Sequence, residues 1–129
     1  MTIVVAYRSD IYGRAALAYG AKEALARHEK LIVVNATKND DLTDTSFALA
    51  QEVDEIQTRL SDQGIETEVQ QGTVPDIADA VLEAVQSVNA SVLVVGIKRR
   101  SPVGKLVLGS TAQRLILDAP CPVYAVKPD

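Results

Sequence analysis

Three runs of the chain are apolar almost without a break: TIVVAY (2–7), LIVVNA (31–36) and SVLVVGI (91–97). A strand with one wet face alternates apolar and polar residues. A strand that is apolar at nearly every position is buried on both faces, as in a parallel sheet covered by helices. Two more β-type runs complete the set. IETEVQQ (65–71) alternates and carries two glutamates, so it reads as an edge strand with one face in water. PVYAVK (122–127) is the fifth.

Helical patterns stand between these runs. Residues 13–28 are rich in alanine and set Leu17, Ala21, Ala24, Leu25 and His28 near one face. Residues 45–62 place Phe47, Ala50, Val53, Ile56 and Leu60 at steps of three and four, with charges elsewhere. Residues 76–88 carry the stripe Ile77, Ala80, Val81, Ala84, Val85 and Val88, and Pro75 suits the first position of that helix. A short fourth helix, about 110–118, ends before Pro120.

Strict alternation of strand and helix over 129 residues predicts one domain, residues 1–129, of the α/β class. The architecture is an open, mostly parallel five-stranded sheet with helices on both faces, Rossmann-like in outline. Right-handed crossovers leave few topologies. Ligands in such sheets sit beyond the carboxyl ends of the strands, where the strand order reverses. For an order 3-2-1-4-5 the reversal falls between strands 1 and 4. The chain there offers Ala6, Arg8, Ser9 and Asp10 from one side, and Gly96 to Arg100 from the other.

The charges support a mouth at that place. The net charge is −4, yet residues 40–83 hold twelve acidic side chains against one basic. Residues 1–39 hold six basic and three acidic, and residues 84–129 six basic and two acidic. Where the basic parts meet, they make an anion-attracting field on an acidic body. Aromatics are 4%, with no Trp and one Phe, which argues against a stacking platform for single-stranded nucleic acid. The acidic body opposes duplex binding as well, although Lys98, Arg99 and Arg100 are adjacent. A single cysteine, Cys121, excludes an internal disulfide and a cysteine zinc cage. The first residues show no secretory leader, and no apolar run approaches the ~18 residues of a membrane span. The expectation is a cytoplasmic protein.

The most chemical stretch is VVGIKRRSPVGKLVLGST (94–111). A helix that opens at Gly109-Ser110-Thr111 presents unpaired backbone N–H groups and a partial positive charge. Gly109 lets a ligand approach closely, and Ser110 or Thr111 can cap. That combination makes an anion site, and equally an ordinary helix start. The preceding connection, 98–108, is longer than the roughly 2–6 residues usual between strand and helix, and long loops often carry function. It is not a P-loop, because Leu106 rather than Ser or Thr follows Gly104-Lys105.

Over essentially its whole length, and most clearly from strand 4 to strand 5, the chain resembles the universal stress proteins. The resemblance implies a sheet of order 3-2-1-4-5, a stress-response role, homodimers and, in some members, ATP binding. ATP-binding members carry G-x2-G-x9-G-[S/T] where this chain has Gly96-x2-Arg99-x9-Gly109-Ser110. The spacing is intact and the middle glycine is arginine. Those members also end strand 1 with an aspartate, in a stretch like V-A-x-D-x-S, where this chain has Arg8 in VVAYRSD. Their G-x-P before the third helix is here Gly72-Thr73-Val74-Pro75, one residue longer.

The candidate ligand-binding residues are therefore Ala6, Arg8, Gly96, Lys98, Arg99, Gly109, Ser110 and Thr111. Arginine disfavours the open backbone and free space that a phosphate loop draws from glycine. It also brings planar, charged donors suited to phosphate. Three readings stay open: ATP or a similar nucleotide, another phosphorylated anion, or no ligand in a dimeric interaction module. The apolar fifth strand, 122–127, needs a cover at the sheet edge, and the resemblance implies a homodimer through it. No catalytic base, nucleophile or metal set converges, so an enzyme is not expected beyond a weak ATPase. His28 reads as a helix-end residue and Cys121 as a small packing group.

Overall fold

A computed structural model describes residues 1–38, 48–98 and 108–128 of the chain. The elements run β1 (Thr2–Ala6), α1 (Ile11–Arg27), β2 (Lys30–Lys38), α2 (Ala50–Asp62), β3 (Thr67–Val74), α3 (Ile77–Ser87), β4 (Val92–Gly96), α4 (Ser110–Asp118) and β5 (Val123–Val126). They form one five-stranded sheet of order β3-β2-β1-β4-β5, as the resemblance implied. Every pairing is parallel, with Val5 opposite Val33 on one side and Val94 on the other.

The continuous apolar runs are explained by two cores, one on each face of the sheet. Ile3, Val5, Leu31, Val33, Val92 and Val94 face α1 and α2, where they meet Ala16, Leu17, Ile56 and Leu60. Their neighbours Val4, Ile32, Val34, Leu93 and Val95 face α3 and α4, and meet Ala78, Val81, Val85 and Leu115. The strand period of two sends successive residues to opposite cores, so residues 3–5, 31–34 and 92–95 are apolar at every position, and the buried polar residues among those described, Asn35 and Thr37, come only toward the end of β2. β3 is an edge strand in which Glu68 is exposed, as the alternation indicated, and it runs on to Val74.

Several helix boundaries move for identifiable reasons. α1 begins at Ile11, two residues before the expected start, because the Asp10 carboxylate accepts hydrogen bonds from the amides of Tyr12 and Gly13. Leu25 departs from the expected inner stripe and is 44% exposed. His28 is the C-cap, in the left-handed region at φ 56°, and its own amide bonds the Ala24 carbonyl. Pro75 is not the first residue of α3. Asp76 intervenes as N-cap and accepts from the Asp79 amide. α2 starts at Ala50, and the expected helical residues 45–47 lie outside the described residues. Among the described residues, no helix is long and apolar enough to cross a membrane.

Candidate anion-binding mouth

The strand order reverses between β1 and β4, and a cavity of about 450 Å³ opens there. That volume lies within the range of small-molecule sites. Part of the lining is apolar: Val34 and Ala36 from β2, Ile77 and Val81 from α3, Val95 from β4 and Leu115 from α4. The rest of the lining comes from three chain ends, with the polar groups Arg8 after β1, Lys98 beyond β4, and Ser110 and Thr111 at the start of α4.

Of the eight residues singled out from the sequence, Ala6, Arg8, Gly96, Lys98, Gly109, Ser110 and Thr111 line this one cavity. Arg99 lies outside the described residues, as do Arg100 and Lys105. Convergence of residues 6 to 8 with residues 109 to 111 is a property of the topology, since β1 and β4 are hydrogen-bonded neighbours.

Gly96 has a reason to be glycine that its motif did not reveal. A Cβ on it would stand 2.2 Å from the carbonyl oxygen of Tyr12, so the first turn of α1 lies directly against the end of β4. Gly13 is equally constrained, its missing Cβ falling 1.8 Å from the Arg8 carbonyl oxygen. The two glycines let α1 approach the switch point, and this close packing forms the floor of the mouth.

The start of α4 differs from the starts of α1 and α3. Its N-cap is Gly109, with extended backbone and no side chain to bond the first amides; neither Ser110 nor Thr111 occupies the cap position. Asp10 and Asp76 do bond the first amides of α1 and α3. Gly109 and Ser110 are exposed beside the cavity. The positive end of a helix whose first amides have no side-chain cap among the described residues therefore borders the mouth.

Arg8 is held in part. Its Nε lies 2.8 Å from Asp10 Oδ2, and its side chain is 62% exposed. Burial pushes the Asp10 carboxyl up, but the Gly13 amide, the Arg8 guanidinium and the Tyr12 amide together bring it below the usual carboxylate value. Asp10 thus remains charged through the neutral range, and Arg8 stands next to a permanent anion.

Two side chains beside Arg8 face the other way. The Tyr7 hydroxyl donates to Glu52 Oε1, and Ser9 Oγ donates to Glu52 Oε2 at 2.7 Å. Burial, followed by the hydrogen bond and charge of Glu52, pushes the Tyr7 hydroxyl well above the usual tyrosine value. The main chain at Tyr7 is also pinned. Its amide donates to the Val34 carbonyl at 2.8 Å, and its carbonyl accepts from Asn35 Nδ2 at 3.0 Å. Buried Asn35 accepts in turn from the Ala48 amide and from Gln71 Nε2. Glu52 and Asn35 were not among the sequence candidates, and Ser9 was placed at the strand reversal without a role. Glu52 lies 43 residues from Ser9, and no local pattern pairs them. Asp10 was readable, since Ser-Asp just before a helical pattern is a capping signal.

Cys121 is half-buried among the packing groups of the α3/α4 core, and burial pushes its thiol up, away from the reactive thiolate.

A five-stranded parallel sheet covered on both faces, with its cavity at the reversal of strand order, defines a doubly wound α/β protein with a ligand-sized mouth. The chain matches the universal stress protein family over residues 1–127, and it belongs to that family. A universal stress protein from Mycolicibacterium smegmatis is 47% identical over 126 residues, which cover 98% of this chain and 97% of that protein. Among solved structures, a universal stress protein from Archaeoglobus fulgidus shares the fold with a TM-score of 0.78 and 25% identity, covering 98% and 97% of the two chains. The universal stress protein from Archaeoglobus fulgidus in complex with dAMP gives a TM-score of 0.68 at 23% identity, covering 98% and 96%.

Proposed function

We propose that this chain is a small stress-response module whose mouth binds a phosphorylated ligand of the adenine mononucleotide class. One observation carries the reading: Arg8, Gly96, Lys98 and the start of α4, which has no side-chain cap, line a single cavity together with apolar residues. The polar groups suit a phosphate and the apolar lining suits a planar base. The Archaeoglobus fulgidus relative in complex with dAMP supports the same ligand class. ATP itself is disfavoured, because Arg8 stands where ATP-binding members carry an aspartate and Arg99 where they carry a glycine. The role is one of sensing or regulation, as no catalytic base or nucleophile is assigned.

The test is a titration of the purified protein with AMP, dAMP, cyclic AMP, ATP and inorganic phosphate, followed by calorimetry and melting. A ligand at about 100 times its Kd raises stability by ~2.7 kcal/mol. Monophosphates that stabilise the protein more than ATP does support the reading. Absence of any response sinks it.

A second reading rests on a separate observation. Arg8 is already paired with Asp10, so the mouth is partly self-neutralised. In that reading the working surface is a homodimer built on β5, whose outer edge has no strand beside it in the sheet. A protein that is dimeric and indifferent to every ligand above fits this alternative. Both readings concern a cytoplasmic protein folded as one domain.

A further inference from the structure

We infer that Glu52 is a positioning residue for the mouth, acting through Arg8. This inference rests on the ligand-binding reading above and adds to it the element that sets the site's geometry.

The chain from Tyr7 to Asp10 leaves β1 and bends at Ser9 and Asp10 before α1 begins. Tyr7 and Ser9 turn toward α2, where each donates to one oxygen of the Glu52 carboxylate. Arg8 and Asp10 pair with one another, and Arg8 lines the cavity. One carboxylate thus grips both neighbours of Arg8 in sequence. With the residues on both sides of Arg8 anchored to one carboxylate, the backbone at Arg8 is held and the directions open to its side chain are restricted.

The Arg8 guanidinium is suited to this use. Asp10 engages its Nε, while its two terminal nitrogens have no ion-pair partner among the described residues. An anion in the mouth therefore meets two free donors on a side chain that Asp10 already restrains. Such preorganisation lowers the cost of binding. Asn35 holds the Tyr7 carbonyl, so the segment is fixed by its main chain from β2 and by its side chains from α2. With Glu52 removed, the main chain keeps its bonds to β2, the Tyr7 and Ser9 hydroxyls turn to water, and the directions open to Arg8 widen.

The experiment is a double-mutant cycle on AMP binding, measured by calorimetry well below the melting temperature. The proteins are wild type, Arg8→Ala, Glu52→Ala and the double variant. Arg8→Ala should weaken AMP about tenfold, which is about 1.4 kcal/mol. Glu52→Ala should approach that loss, and the double variant should be no weaker than Arg8→Ala alone. Glu52→Gln should recover part of the affinity, since its carbonyl accepts from Tyr7 and its amide donates to Ser9 Oγ. Ser9→Ala removes one of the two grips without touching α2 and should fall between wild type and Glu52→Ala. It keeps the inference testable if Glu52→Ala fails to fold.

Losses that simply add in the double variant would overturn the inference, because Glu52 would then act elsewhere than through Arg8. So would a Glu52→Ala or Ser9→Ala protein that melts lower yet binds AMP like wild type, which is the mark of a purely structural bond. Wild-type protein that binds no AMP sinks the mononucleotide reading, and the role of Glu52 falls with it. The two failures are told apart by the wild-type titration alone.

Discussion

The carbonyl oxygen of Tyr12 lies against Gly96 so closely that a methyl group there would stand 2.2 Å from it. Gly109, the third glycine position of the same motif, has no heavy atom of the described residues within 4 Å of where its Cβ would be. The two glycines therefore serve different ends. Gly96→Ala must push the first turn of α1 off β4, and a backbone carbonyl cannot rotate away as a side chain can. Overpacking costs about 1–3 kcal/mol where side chains yield, so a loss of at least ~3 kcal/mol is expected here. Gly109→Ala should cost ~1 kcal/mol or less, as a poorer N-cap. Urea unfolding of both variants checks the contrast. Equal losses would mean that α1 does not press on Gly96.

The Asp10 cap predicts a pH dependence with a definite sign. The folded pKa is depressed relative to the unfolded one, so the unfolded chain binds more protons as pH falls. The stabilisation is fully present above the unfolded carboxylate value and is lost as pH falls through the lower folded value. Asp10→Ala should therefore cost ~1 kcal/mol at pH 7, as capping losses typically do. The gap to wild type should shrink below about pH 4. Unfolding curves at pH 7 and pH 3 provide the comparison, and a gap of constant size would assign the loss to something other than the ionised cap.

The strands were legible because burial on both faces erases alternation, as in TIVVAY and SVLVVGI, while their order followed from the family resemblance. Topology then carried Arg8, Gly96 and Gly109 to one cavity without any contact being known. The Glu52 bridge was not legible, because it joins α2 to the end of β1 across 43 residues and leaves no periodic trace. Nor was the true reason for Gly96, which depends on how deeply α1 settles. The sequence showed a glycine beside a basic loop and suggested a ligand, whereas the nearest heavy atom belongs to Tyr12.

β5 is a sheet edge with Val123, Tyr124 and Val126 half-buried and Ala125 exposed. Tyr124 is braced by Arg27, whose Nη2 donates to its hydroxyl at 2.7 Å, and by an edge-on contact with Tyr19. A short, rigid, uncharged edge is a template for strand pairing. The expectation is a two-fold dimer, with light scattering giving twice the 13.8 kDa chain mass. Ala125→Glu sets like charges across the two-fold contact and should shift the protein toward monomer without unfolding it. A monomeric wild type at micromolar concentration would count against the dimer.

The last prediction concerns what Arg8 and Arg99 replaced. In ATP-binding members of the family the end of β1 carries a carboxylate, an acceptor for a hydroxyl, where this chain carries Arg8. Here Asp10 is close by, but its carboxylate is committed to the Tyr12 and Gly13 amides and to Arg8 Nε, so it cannot take over that role. Arg8→Asp should restore an acceptor at the mouth and remove a cation from it. Arg99→Gly, outside the described residues, restores the motif's middle glycine. The double variant should bind ATP more tightly than wild type and inorganic phosphate more weakly, a reversal of preference that neither general loosening nor loss of stability produces. Parallel calorimetric titrations with ATP and with phosphate measure both limbs. If ATP already binds the wild type tightly and the double variant weakens it, the arginines serve the nucleotide and have not displaced it.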